Sequence, residues 1–220
     1  MVLNKMIKLV VDIEIEYMLF TMKHSSSGYC VGFCLKWLGD ILNKNKPGYP
    51  KGVFFVDVND KAELIKLMER ARKKHDSYET NRQIYGSRVG NPAAQVEFFS
   101  KYNDYKQRDL EKKSGQAGLF YKYSDVINGD ITGLSRYPIA SLPKQGVMLT
   151  FAFNHEGVQA SHAVAAVRVS EEICYFFDPN NGVYEIIDRN PEFEIGSLIS
   201  RVYGSHRIQQ QVVVSQSRVW

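Results

Sequence analysis

The sequence predicts an α+β fold, with helices in its first part and an antiparallel sheet in its last third. Two observations carry this. Apolar residues recur at helical spacing in 30–42 and again in 61–75. From residue 146 the pattern changes to short runs rich in β-branched and aromatic residues, "GVMLTFAF", "HAVAAVRV", "CYFFDP" and "GVYEII". A third observation sets the scale: 220 residues, 44% hydrophobic and 12% aromatic, suit one domain with a packed core and argue against disorder.

Taken in order, "LVVDIEIEY" at 9–17 alternates from Val11 to Tyr17 and reads as a half-buried strand. Ser25, Ser26, Ser27 and Gly28 read as a loop. A helix follows from Cys30 to Leu42, with Phe33, Trp37 and Ile41 on one face and Cys30 and Cys34 on the next. Pro47, Gly48 and Pro50 end it. "VFFVDV" at 53–58 fits a strand or a buried helix. Asn59 and Asp60 can cap a helix over 61–75 that buries Leu64, Leu67, Met68 and Ala71. Another helix is expected from Asn91, with Pro92 at its first position and Val96, Phe99 and Tyr102 inward. "KKSGQAGL" reads as loop.

Strands are expected at 146–153, 162–169, 174–179 and 182–187, the last two joined by the turn "PNNG". A short helix over 191–203 and a closing strand, "RIQQQVVVSQS", complete the chain. The expected organisation of 1–220 is one domain in four parts. These are an N-terminal strand and extension (1–24), a loop and helix (25–42), a helical insertion (43–145) and an antiparallel sheet (146–220).

The formal charge is +4, with acids and bases interspersed, so nucleic acid is not demanded as a partner. An acidic partner or an anionic membrane surface is compatible with this charge but not indicated by it, and the basic run "RARKKH" at 70–75 reads as a solvated helix face, with docking of an acidic substrate or membrane as the lesser reading. The apolar N-terminus carries Asp12, Glu14 and Glu16, which does not fit a cleavable signal peptide. No run reaches the length of a membrane span. The three cysteines, Cys30, Cys34 and Cys174, have no framework spacing, which points to reduced thiols. No zinc-site spacing is present, and no metal or cofactor is implied.

Cys30 stands where a loop becomes a helix. A thiol there feels the positive end of the helix dipole, which favours the thiolate. A nucleophilic cysteine also needs an imidazole. Of His24, His75, His155, His162 and His206, His162 is best placed, because it begins a strand after the small residues Ala160 and Ser161. Asp178 closes the next strand. If the two strands pair, His162 and Asp178 face each other at one sheet end, and the carboxylate can orient the imidazole. Blander readings stand beside these. Cys30 could be a small buried apolar residue, His162 a core histidine, and Asp178 a turn cap. Cys34 and Cys174 read as core, and Trp37 as helix packing.

"GYCVGFCLKWL", "GVMLTFAF…SHAVAAV" and "YFFDPNNGVYEI" together resemble the bacterial effector cysteine proteases of the YopT/AvrPphB type. The resemblance implies a papain-like fold, its N-terminal helical part carrying the nucleophile helix against a C-terminal antiparallel sheet. It implies a Cys-His-Asp triad of Cys30 as nucleophile, His162 as base and acid, and Asp178 as orienting carboxylate. Trp37, Pro179, Asn180 and Gly182 match structural positions of the motifs. It further implies a bacterial effector exported without a cleavable signal, acting on a host protein in the host cytosol.

One departure concerns the oxyanion. Papain-like enzymes place a Gln or Asn five or six residues before the cysteine, where this chain has Ser25 and His24. The Cys30 backbone N–H remains a donor, and His24, Ser25 or Ser26 can supply the second, a choice the sequence leaves open. With few residues ahead of Cys30, no bulky pro-domain is expected. The same triad also serves glutamine deamidation or acyl transfer to an amine. A third reading is a binding module that keeps the fold without the activity.

Overall fold

The structure, a computed structural model, describes residues 6–24, 28–42, 56–86, 120–124 and 145–215. Its strands are β1 (Met6–Asp12), β2 (Phe120–Ser124), β3 (Gln145–His155), β4 (Val158–Arg168), β5 (Ile173–Asp178), β6 (Gly182–Ile187) and β7 (His206–Ser215). They form a seven-stranded sheet in the order β1-β6-β5-β4-β3-β7-β2. Every neighbouring pair is antiparallel. The helices are α1 (Glu14–Lys23), α2 (Cys30–Ile41), α3 (Lys61–Gly86) and α4 (Pro191–Tyr203).

The central strands are apolar on both faces because helices cover both. On one side α1, α2 and α3 pack with Ala163, Ala165, Val167 and Phe177. On the other, Ile195, Leu198 and Ile199 of α4 meet Val164, Ala166, Phe176 and Phe151. Alternation along β4 therefore separates two cores rather than core from water. Small residues on the α2 side let that helix approach closely. A Cβ on Gly146 would stand 2.6 Å from Leu38 Cδ2. Trp37 of α2, fully buried, stacks on Phe177 of β5 with ring centroids 5.3 Å apart.

The expected strand at 9–17 is corrected. β1 ends at Asp12, whose carboxylate accepts from the Glu14 backbone N–H at 3.0 Å as α1 begins. Ile13 and Tyr17 are four apart, a spacing that satisfies period 2 and period 3.6 alike. Ile15 separates the readings: a strand would bury it with them, and it is 63% exposed. The helix instead buries Ile13, Tyr17 and Phe20.

Helix α3 buries Leu64, Leu67, Met68 and Ala71 as expected, and the Asp60 carboxylate caps it by accepting from Glu63 N–H at 3.1 Å. It continues to Gly86, well past His75, because nothing after 75 breaks a helix although the apolar stripe stops. Residues 56–60 form a turn, not a strand or helix, with Val56 and Val58 against the core. Residues 53–55, the helix expected from Asn91 and the loop "KKSGQAGL" lie outside the described residues. The stretch 43–145 is not wholly helical, since β2 lies in it and pairs with β7. β4 begins at Val158, not at His162, because its ladder with β3 runs on to the Val158–His155 pair, so His162 lies inside the strand. The other elements of the last third stand where expected to within a few residues. No helix among the described residues is long and apolar enough to cross a membrane.

Candidate active site

Cys30 is the first residue of α2, after Tyr29 as N-cap, and its side chain is half-buried. Helix α2 lies between α3 and the sheet, so nearly all of it is buried: Val31, Phe33, Cys34, Leu35, Trp37, Leu38 and Ile41. The first intrahelical bond is Phe33 N–H to Tyr29 C=O at 3.0 Å. The amides before it, Cys30 among them, have no intrahelical acceptor. Beneath this end, the Tyr17 hydroxyl accepts from Tyr29 N–H at 2.7 Å. One turn further, the Cys34 thiol donates to Ala163 C=O at 3.3 Å and ties α2 to β4 beside His162.

His162 lies in β4, opposite Phe151 of β3. Asp178 is the last residue of β5. His162 Nε2 and Asp178 Oδ1 are 2.8 Å apart, and both side chains are buried. The two are diagonal neighbours, not directly opposed as the sequence reading had them. The last β4–β5 pair is Ala165 with Phe177, so Asp178 falls just past the ladder, and His162 reaches across its end. The bond occupies Nε2 and leaves Nδ1 as the free ring nitrogen. The Cys30 thiol is the other group whose interaction favours the charged form of the same imidazole.

Burial opposes a charge on His162. The Asp178 carboxylate, its hydrogen bond and Cys30 outweigh that, and the imidazole pKa is pushed up to about 10. Burial alone would raise the Asp178 carboxyl, yet it is held below its ordinary value by His162 and by its other donors. Those donors are many. Asn180 N–H gives to Oδ1 at 3.0 Å and Asn181 Nδ2 to Oδ2 at 2.8 Å. The Tyr203 hydroxyl gives to Oδ1 at 3.0 Å and Oδ2 at 2.8 Å. Asp178 therefore caps its turn and holds His162 at once; the two readings of this residue are compatible.

Gly182 shows why that turn is "PNNG". Its φ is +135°, and a Cβ there would stand 1.9 Å from Val11 C=O. Only glycine lets β1 pass so close to the turn that presents Asp178.

The other candidates lie elsewhere. His24 ends α1, its Nε2 3.1 Å from Glu69 of α3 and its ring against Phe20. Ser25 lies outside the described residues. His75 packs edge-on to Tyr29, and His206 Nδ1 is 2.8 Å from Gly204 C=O. The side chain of His155 is also outside them. Cys34 is fully buried, and burial holds its thiol pKa well above the ordinary value. Cys174 is fully buried as well, its thiol pushed up to about 12. Both are core, as the sequence reading has it. Arg72, in the basic run, pairs with Glu69 at 3.0 Å and Asp76 at 3.7 Å.

Sequence reasoning missed Tyr203. It lies at the expected end of the last helix, and a tyrosine before a helix-ending glycine has nothing to mark it as a carboxylate partner. Tyr17 was missed for a related reason: it was read as part of a strand.

The arrangement sets an imidazole inside β4 against a carboxylate at the end of β5, with a thiol at the start of α2 as the candidate nucleophile, a set that can support chemistry at sulfur. No curated protein matches the chain by sequence. Among solved structures, it is similar to the Pseudomonas avirulence protein AvrPphB, with a TM-score of 0.52 and 16% identity over 94% of this chain and 96% of that one. The likeness shows the fold, which is the papain-like α+β fold. The family model of the Yersinia/Haemophilus virulence surface antigens, Peptidase C58, matches residues 15–218, from α1 to just beyond β7. On that match the chain belongs to the C58 family of cysteine peptidases.

Proposed function

We propose that Cys30, His162 and Asp178 form the catalytic triad of a thiol protease that cleaves a host protein. The observation that carries it is the His162–Asp178 bond of 2.8 Å, with Cys30, at the start of α2, favouring the charged form of the same ring. Cys30 is favoured over Cys34 and Cys174 because both of those are fully buried. The Cys30 proton passes to His162, and the sulfur attacks the scissile carbonyl carbon. The Cys30 backbone N–H supports the oxyanion. The C–N bond then breaks, and His162 returns the proton to the leaving amine. Water, giving a proton to His162, attacks the thioester and frees the acid and the thiol. Asp178 keeps the Nε2 proton in place, which leaves Nδ1 for sulfur.

The virulence description of the family and the avirulence protein of similar fold support a bacterial effector exported to act on a host protein. The whole chain, 1–220, is proposed to act as one papain-like domain.

The test is iodoacetamide alkylation of each cysteine against pH, read by peptide mass, in wild type and His162→Ala. Fast, selective modification of Cys30 near pH 6 that collapses in the variant is expected. Equal, slow reaction at all three thiols, unchanged by His162→Ala, would refute the triad.

A further inference from the structure

We infer that Tyr203 is a positioning residue of the site, clamping Asp178 so that one carboxylate oxygen faces His162 while its ring closes the imidazole off from solvent. The inference rests on the triad reading above and adds a fourth member from the helix on the opposite side of the sheet.

Three contacts converge on this side chain. Its hydroxyl reaches both oxygens of Asp178, at 3.0 Å and 2.8 Å. The same hydroxyl accepts from Asn180 Nδ2 at 3.1 Å. Its ring lies 5.0 Å from the His162 ring at a 34° tilt, with Phe151 and Phe153 5.1 Å and 5.0 Å away. A phenol has one proton, and here it lies between two carboxylate oxygens while the lone pair takes the Asn180 amide. Burial and the neighbouring carboxylate keep that phenol protonated well beyond its ordinary range, so it remains a donor.

The consequence is rotational. Asp178 Oδ1 serves His162 and Asn180 N–H, and Oδ2 serves Asn181. Tyr203 bridges both oxygens, so turning the carboxylate away from His162 would break its bonds as well. The phenol also favours the charged form of the carboxylate. Ring and hydroxyl thus do separable work.

That separation gives the test. Tyr203→Phe keeps the ring and removes the donor; Tyr203→Ala removes both. The readouts on the full chain are the pH profile of Cys30 alkylation by iodoacetamide and the imidazole titration of His162 by NMR. In Tyr203→Phe the Asp178 carboxylate is no longer held facing His162, so its bond to the imidazolium weakens and the charged ring is less favoured. The His162 midpoint should fall and the acid limb of Cys30 alkylation should move up, each by about one pH unit. Tyr203→Ala should shift both further. If Tyr203 only fills space, Tyr203→Phe leaves both curves on those of wild type, and the inference is overturned. Failure of the triad reading looks different: wild-type Cys30 would already lack His162-dependent reactivity. The NMR titration would then still decide whether Tyr203 holds the His162–Asp178 pair.

Discussion

Gly32 lies two residues into α2 from Cys30, where this helix crosses α3. A Cβ built there stands 2.1 Å from the Ala71 carbonyl oxygen and 2.7 Å from the backbone N of His75. Ordinary contact begins at 3.4 Å, so the helices must part by about 1.3 Å at this point. The obstacle is backbone, which cannot swing aside. Two effects of Gly32→Ala oppose each other. Alanine raises helix propensity by about 1 kcal/mol. Overpacking between closely packed helices costs about 1–3 kcal/mol, and the contact here is at the severe end. The net expectation is a loss of about 1–2 kcal/mol. Urea unfolding followed by tryptophan fluorescence reads this directly, since Trp37 is fully buried in the same helix. A shift of the helix start also carries Cys30 away from His162, so alkylation at pH 6 should slow by about tenfold or more. A variant as stable as wild type, or more so, would refute the close crossing of α2 and α3 and leave helix propensity as the governing term.

Two further outcomes are expected. Tyr17→Phe leaves the buried Tyr29 N–H without its acceptor at 2.7 Å, and should cost about 1–3 kcal/mol in urea unfolding while slowing Cys30 alkylation; an unchanged midpoint would sink it. The His162–Asp178 pair should make stability depend on pH in a definite direction. His162 is raised from its ordinary 6.5 to about 10, so its contribution is complete below pH 6.5 and disappears as pH rises through about 10. Asp178 is lowered from 3.8, so its contribution is complete above that value and is lost as pH falls through its folded value. The stability of wild type over His162→Ala should therefore be greatest between about pH 4 and 6.5 and should shrink toward pH 10; parallel curves across that range would contradict it.

The sheet and the helix carrying Cys30 were legible because their signals are local. β-Branched and aromatic runs bounded by turn residues mark strands, and the "PNNG" turn marks where β5 ends. The meeting of His162 with Asp178 was legible too, since both residues bracket one predicted strand pair. Their diagonal offset was not, because register depends on how β4 and β5 slide, and sequence spacing leaves that open. α1 was misread since Ile13 and Tyr17 satisfy both periodicities. β2 went unpredicted, because five residues give too short a pattern to separate from loop. Tyr203 depends on α4 lying across the far face of the sheet with its last residue at the strand ends, a tertiary fact with no local mark.

The two-sided cladding of the sheet bears on how the enzyme comes into being. Cys34 and Ala163, joined across 129 residues of sequence, tie the helix under Cys30 to the strand of His162, while the hydroxyl that grips Asp178 arrives only with the last helix. Contacts this distant in sequence form late in folding. A growing chain therefore carries Cys30, and later His162, before the Tyr203 hydroxyl that reaches Asp178 has been made. On the proposed triad, ordered assembly of this kind couples reactivity to completion of the fold.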